Sequence, residues 1–143
     1  MIIRIEHPEL EYDMEKAVGS FYIGCRSDCD VYRNGKCGEY YSFKIGYTNR
    51  PLSVRLHEYK EGNMIHKLIY SLKSYQRGVV EKIERDVLHE CYCQNIERRR
   101  SDGGYEKIIG REWFAIWGGE EEYEKMKNKL IKIADNISQN YIN

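Results

Sequence analysis

Two short aromatic runs constrain this chain more than any other feature. Ser20-Phe21-Tyr22-Ile23 is aromatic and β-branched and is broken by Gly24, so it reads as a strand. Glu39 to Tyr47 is rich in tyrosine and contains Gly46, and reads as the returning strand. Between them, residues 25–38 hold an Asn34-Gly35 turn signal and little apolar content, which predicts a long hairpin connection. Arg50-Pro51 then opens a helix, because the N–H that proline lacks is not needed in a first turn.

Later segments carry clear periods. Leu52, Leu56 and Tyr59 form the buried stripe of the first helix, which Glu61-Gly62-Asn63 ends. Residues 65–72 alternate as a third strand. A second helix is predicted from about Gly78 to Cys93, with Val80, Ile83, Val87 and Cys91 on one face. Residues 94–107 are charged and contain glycine, hence a loop, and Ile108 to Phe114 reads as a short buried strand or turn. A last helix over roughly 120–141 presents Tyr123, Met126, Leu130, Ile133 and Ile137 on its apolar face. The expected fold is therefore α+β, a small three-stranded antiparallel sheet flanked by helices, with an added C-terminal helix. Its expected organisation is a leader over 1–18 that packs on the core, a domain over 19–117, and a helix over 118–143 packed on that domain.

Composition removes some classes of function. The 23 basic residues equal the 23 acidic ones, whereas a protein that coats DNA needs a strong basic excess to neutralise phosphates. Neutrality still permits an enzyme with a local basic strip. No apolar run approaches the ~20 residues of a bilayer span, and the N-terminus lacks a signal-peptide pattern. An intracellular protein, cytoplasmic or nuclear, is the expectation. Five cysteines (Cys25, Cys29, Cys37, Cys91 and Cys93) are an odd number, which suits a reducing compartment. Thirteen tyrosines against three phenylalanines supply hydroxyls at core edges, for hydrogen bonding, catalysis or base stacking.

The order of these elements carries a resemblance. Tyr22 in the first strand, Lys44-Ile45-Gly46 in the second, Arg55 in the following helix, Glu84 in a Glu…Leu-His helix and Gly110-Arg111-Glu112-Trp113-Phe114 resemble the GIY-YIG endonuclease superfamily. The Lys-Ile-Gly form followed by Tyr47-Thr48 looks like the branch common in phages and large DNA viruses. The first motif keeps its tyrosine but reads Ser-Phe where the family has Gly-Ile. The resemblance covers about residues 19–117.

It implies a metal-dependent endonuclease that hydrolyses DNA phosphodiester bonds. Tyr22, assisted by Lys44 or Tyr47, would activate the attacking water. Arg55, which borders the buried stripe, would hold the scissile phosphate with a rigid fork; Arg50 is the second candidate for that role. Glu84 follows Val80 by four residues and precedes Val87 by three, so it intrudes on an apolar face, where a carboxylate needs a cationic partner. It is the expected ligand of Mg²⁺ or Mn²⁺, with Glu81 as runner-up on register.

Three features stand apart from that family. Arg98-Arg99-Arg100 can track a nucleic-acid backbone or simply lie in solvent. Cys25, Cys29 and Cys37 can hold a zinc ion, but their spacings are not the usual ligand pairs, and free thiols are the expectation. The last helix is expected to pack intramolecularly, with dimerisation as its other use. Two further classes of function follow: a catalytically weak module of the same fold that binds branched or single-stranded DNA, and a zinc-tied protein-interaction domain. The sequence leaves the oligomeric state unassigned.

Overall fold

The computed structural model describes residues 2–4, 19–33, 36–62, 65, 67–96 and 113–141. Five strands form one sheet in the order β1-β4-β2-β3-β5: β1 Ile2–Arg4, β2 Gly19–Arg33, β3 Lys36–Thr48, β4 Lys67–Ser74 and β5 Trp113–Gly118. Every neighbouring pair is antiparallel. Helices α1 (Leu52–Glu61), α2 (Val79–Cys93) and α3 (Glu120–Ser138) complete the α+β fold, with a short 3₁₀ turn at Gln139–Tyr141. The three expected strands form its centre. The N-terminal segment adds β1 at one edge, and β5 closes the other, beginning at Trp113 instead of ending near it.

The hairpin differs most from expectation. Residues 25–33 and 36–38 are not a loop: β2 and β3 pair through them, with Arg33 opposite Lys36. The polar composition of that stretch hid the strands, because cross-strand pairing does not require an apolar face along a ribbon's whole length. Between Asp28 and Val31 the register shifts by one residue. A bulge of this kind reverses which face each later side chain occupies. Without it, Tyr22 would face Tyr47; with it, Tyr22 faces Gly46 and Lys44 faces Gly24.

The two faces of the sheet are chemically unlike. One carries Phe21, Ile23, Phe43, Ile45, Tyr70, Leu72 and Phe114 against Val80, Ile83, Val87 and Cys91 of α2 and Tyr123, Met126, Leu130 and Ile133 of α3. These helical stripes are the ones the 3.6-residue period predicts, except that Ile137 is only half-buried and Ala134 replaces it in the core. Burying each large side chain there contributes ~1.5–3 kcal/mol. The hydroxyl of Tyr70 donates to Oδ1 of Asp135 at 2.8 Å and so ties β4 to α3.

The other face packs on α1 through Tyr22, Leu52, Leu56, Tyr59, Ile65 and Trp113. It also carries Ser20, Lys44, Thr48, Ser71 and Lys73, all buried. Apolar burial makes the first face the core. Polar burial marks the second as the place to look for chemistry.

Candidate active site

Tyr22 is the centre of the polar face. It lies mid-strand on β2, 1% exposed, and its hydroxyl is 2.8 Å from that of Tyr59 on α1. The two rings are tilted by 59° with centroids 6.0 Å apart. The phenol lies directly over Gly46: a Cβ built there would be 2.7 Å from Oη and 2.8 Å from Cζ of Tyr22. Gly46 is therefore needed for the ring to lie flat across the hairpin. Gly46 sits within β3, opposite Tyr22.

Arg55 reaches the same point from α1. Its guanidinium carbon lies 4.6 Å from the Tyr59 ring centroid, a cation–π contact. The Arg55 side chain is 36% exposed, so it occupies the mouth of a cluster whose floor is Tyr22. Burial, and then the hydrogen bond and charge of Tyr59, push the Tyr22 phenol well above the usual phenolic range; Arg55 opposes the shift without reversing it. Burial would lower the Arg55 pKa, but contact with Tyr22 and Tyr59 outweighs it and the net shift is upward. At neutral pH the cluster sets a guanidinium beside the protonated phenol of Tyr22.

Lys44 joins from β3. Its ammonium lies 5.8 Å from the Tyr59 centroid and 5.7 Å from that of Trp113, and the residue is 8% exposed. Trp113 starts β5 opposite Lys44 and plugs this side of the sheet, as the sequence expects of it. The group that draws the Tyr22 pKa down is Arg55.

Tyr47 does not share this site. It pairs with Phe21, so its side chain belongs to the opposite face, and it is 38% exposed. The bulge is the reason. Tyr59 takes its place as the second phenol, a residue the sequence explains as the third member of a buried stripe. Its separation of four from Arg55 was the available signal, since residues four apart lie on one helical face.

Glu84 lies on α2, whose buried stripe packs on the core face, and it is half-buried. Glu81 is half-buried as well, so exposure does not separate the two candidates. The start of α2 abuts the open end of the hairpin: a Cβ on Gly19 would lie 2.6 Å from Cγ2 of Val80 and 3.3 Å from the Thr48 carbonyl. Among the described residues, no three His, Cys, Asp or Glu side chains gather into a metal-binding group. Glu84 would offer a hard carboxylate oxygen, with water and substrate oxygens able to complete the shell. That donor set fits Mg²⁺.

The remaining candidates separate simply. Arg98, Arg99 and Arg100 lie outside the described residues, as do the side chains of Cys29 and Cys37. Cys25 is a buried core residue whose thiol is pushed up to about 11, chiefly by burial. His57 pairs with Glu61 at 3.0 Å and is solvated. No described helix is long and apolar enough to cross a membrane.

A small antiparallel α+β domain with an arginine, a lysine and two phenols gathered on one sheet face is compatible with a small nuclease-like fold. Residues 19–135 match the T5orf172 domain, and the chain belongs to that family, which is associated with nuclease-like proteins of phages and bacteria. The match runs from the first residue of β2 well into α3. Comparisons with curated proteins and with solved structures return no match.

Proposed function

We propose that the chain is a metal-dependent endonuclease of GIY-YIG type acting on DNA, with Tyr22, Lys44, Arg55 and Tyr59 as its reaction centre. The observation that carries this reading is the convergence of Arg55 on the buried Tyr22–Tyr59 pair. The two phenols favour the charged guanidinium and hold it at a half-open mouth, where an anion can reach it.

The roles follow from the chemistry of each group. Arg55, at the mouth, binds the non-bridging oxygens of the scissile phosphate and stabilises the charge that develops on them. Lys44 adds positive potential from below. Tyr22 acts as a neutral phenol, because its ionisation lies far above neutral pH. It orients the attacking water by hydrogen bonding, with its own hydroxyl held by that of Tyr59, and the proton the water loses on attack is taken up by bulk solvent. Glu84 is the carboxylate proposed to hold Mg²⁺ or Mn²⁺; bound there, the metal would stabilise the departing oxygen.

Plasmid nicking with Mg²⁺ or Mn²⁺ tests this reading, with wild type compared against Glu84→Ala and Glu81→Ala. Metal-dependent nicking that Glu84→Ala abolishes is the expected result. Loss on Glu81→Ala alone moves the metal ligand by one turn of α2. If wild type cuts no plasmid, branched or single-stranded DNA, the enzyme reading fails. Measurable DNA binding would then favour the catalytically weak binding module of the same fold.

A further inference from the structure

Arg55 is not the only guanidinium at the mouth of the site. Arg50 follows β3, and its backbone N–H donates to Oγ1 of Thr48 at 3.1 Å, which fixes its turn against the strand end. Its Nη2 lies 2.5 Å from Oε1 of Glu58, while Oε2 of the same carboxylate lies 4.0 Å from Nη1 of Arg55. One carboxylate thus stands between two arginines, using one oxygen for each. Their side chains are 53%, 45% and 36% exposed for Arg50, Glu58 and Arg55.

A phosphodiester has the same valence as that carboxylate: one negative charge over two oxygens. We propose that Arg50 and Arg55 form a two-pronged seat for a backbone phosphate, and that Glu58 is its internal stand-in, displaced when nucleic acid binds. The inference rests on the proposed DNA-directed reading and assigns two further residues to it. Arg50 is a positioning residue that orients the phosphate for Arg55. Glu58 competes with substrate and keeps the two like charges apart in the free protein. An exposed ion pair is weak enough to exchange, and Glu58 can turn into water when displaced.

This competition has an opposite sign from a merely structural salt bridge. If Glu58 only supported α1, removing its charge would weaken the site or leave it unchanged. If it occupies the seat, removing its charge opens it.

Fluorescence anisotropy of a short labelled oligonucleotide across a salt series tests the proposal without requiring cleavage. Glu58→Gln is expected to tighten binding about twofold to fivefold. Arg50→Gln should weaken it and reduce the slope of log K against log salt by about one phosphate contact, ~0.7–0.9. Glu61→Gln removes an equal charge one turn along, from a residue whose described ion pair is with His57, and should shift binding much less. In the Arg50→Gln background, Glu58→Gln should lose most of its effect. The proposal is overturned if Glu58→Gln and Glu61→Gln tighten binding equally, since that is bulk charge. It is also overturned if Glu58→Gln weakens binding, or if no variant binds DNA. Binding with this pattern but no cleavage would sink the enzyme reading and leave the seat standing.

Discussion

Gly46→Ala is the sharpest test of how the hairpin builds the site. A Cβ at this position meets Oη and Cζ of Tyr22 at 2.7 and 2.8 Å, closer than real Cβ contacts allow. The ring cannot swing aside freely, because it is buried and its hydroxyl is bonded to Tyr59. Overpacking of this kind costs ~1–3 kcal/mol, and loss of the phenol–phenol hydrogen bond adds ~0.5–1.5 kcal/mol. A total of roughly 2–4 kcal/mol follows. With 143 residues at ~2.1 cal/mol/K each, 1 kcal/mol moves Tm by about 3 °C, so Gly46→Ala should lower it by roughly 6–12 °C. Thermal unfolding followed by circular dichroism reads this directly. The control is the same change in a Tyr22→Leu background. There the obstructing ring is absent, and alanine should be neutral or slightly stabilising, since glycine is the poorer strand residue. An equal drop in both backgrounds, or a drop below about 2 °C in the wild type, would refute the argument that Tyr22 is why Gly46 is glycine.

Three further outcomes are expected. Burial pushes the Cys25 thiol up to about 11 and the Cys91 thiol up to about 12, so both stay protonated in the fold while the unfolded thiols ionise near 9. Stability from this source is full below pH 9 and is lost as pH rises toward 11–12; a Cys25→Ala, Cys91→Ala variant should show a shallower alkaline fall in its urea midpoint. Among the cysteines of described side chains, exposed Cys93 should react first with a thiol reagent at neutral pH, and peptide mapping checks this. Tyr70→Phe removes the hydrogen bond to Asp135 and should cost ~1–3 kcal/mol, read as a lower denaturant midpoint with activity per folded molecule unchanged.

The helices were legible in the sequence because each buries a stripe at helical spacing. Val80, Ile83, Val87 and Cys91 needed nothing but that period to be assigned. The hairpin was half legible. Asn34-Gly35 signalled a turn, but strand pairing is non-local, and nothing within residues 25–33 and 36–38 announces that they pair. The bulge between Asp28 and Val31 has the largest consequence. It shifts the register by one residue and so exchanges Tyr47 for Lys44 on the face of Tyr22. Arg55 was found because an arginine beside an apolar stripe is out of place, whereas Tyr59 was hidden by fitting that stripe. Tyrosine is both apolar ring and hydroxyl, and the pattern accounts for the ring alone.

The central claim is that Arg55, set against the Tyr22–Tyr59 pair, receives a phosphodiester for cleavage. Single-turnover nicking of supercoiled plasmid by wild type, Arg55→Lys and Arg55→Ala tests it most directly, with each protein shown by circular dichroism to be folded. Removing a preorganised donor to a developing oxyanion costs ~10²–10³-fold in rate. Arg55→Ala should lose about that much, and Arg55→Lys, which keeps the charge but not the fork, should recover only a small part. Wild-type cleavage that survives Arg55→Ala at an undiminished rate would contradict the account.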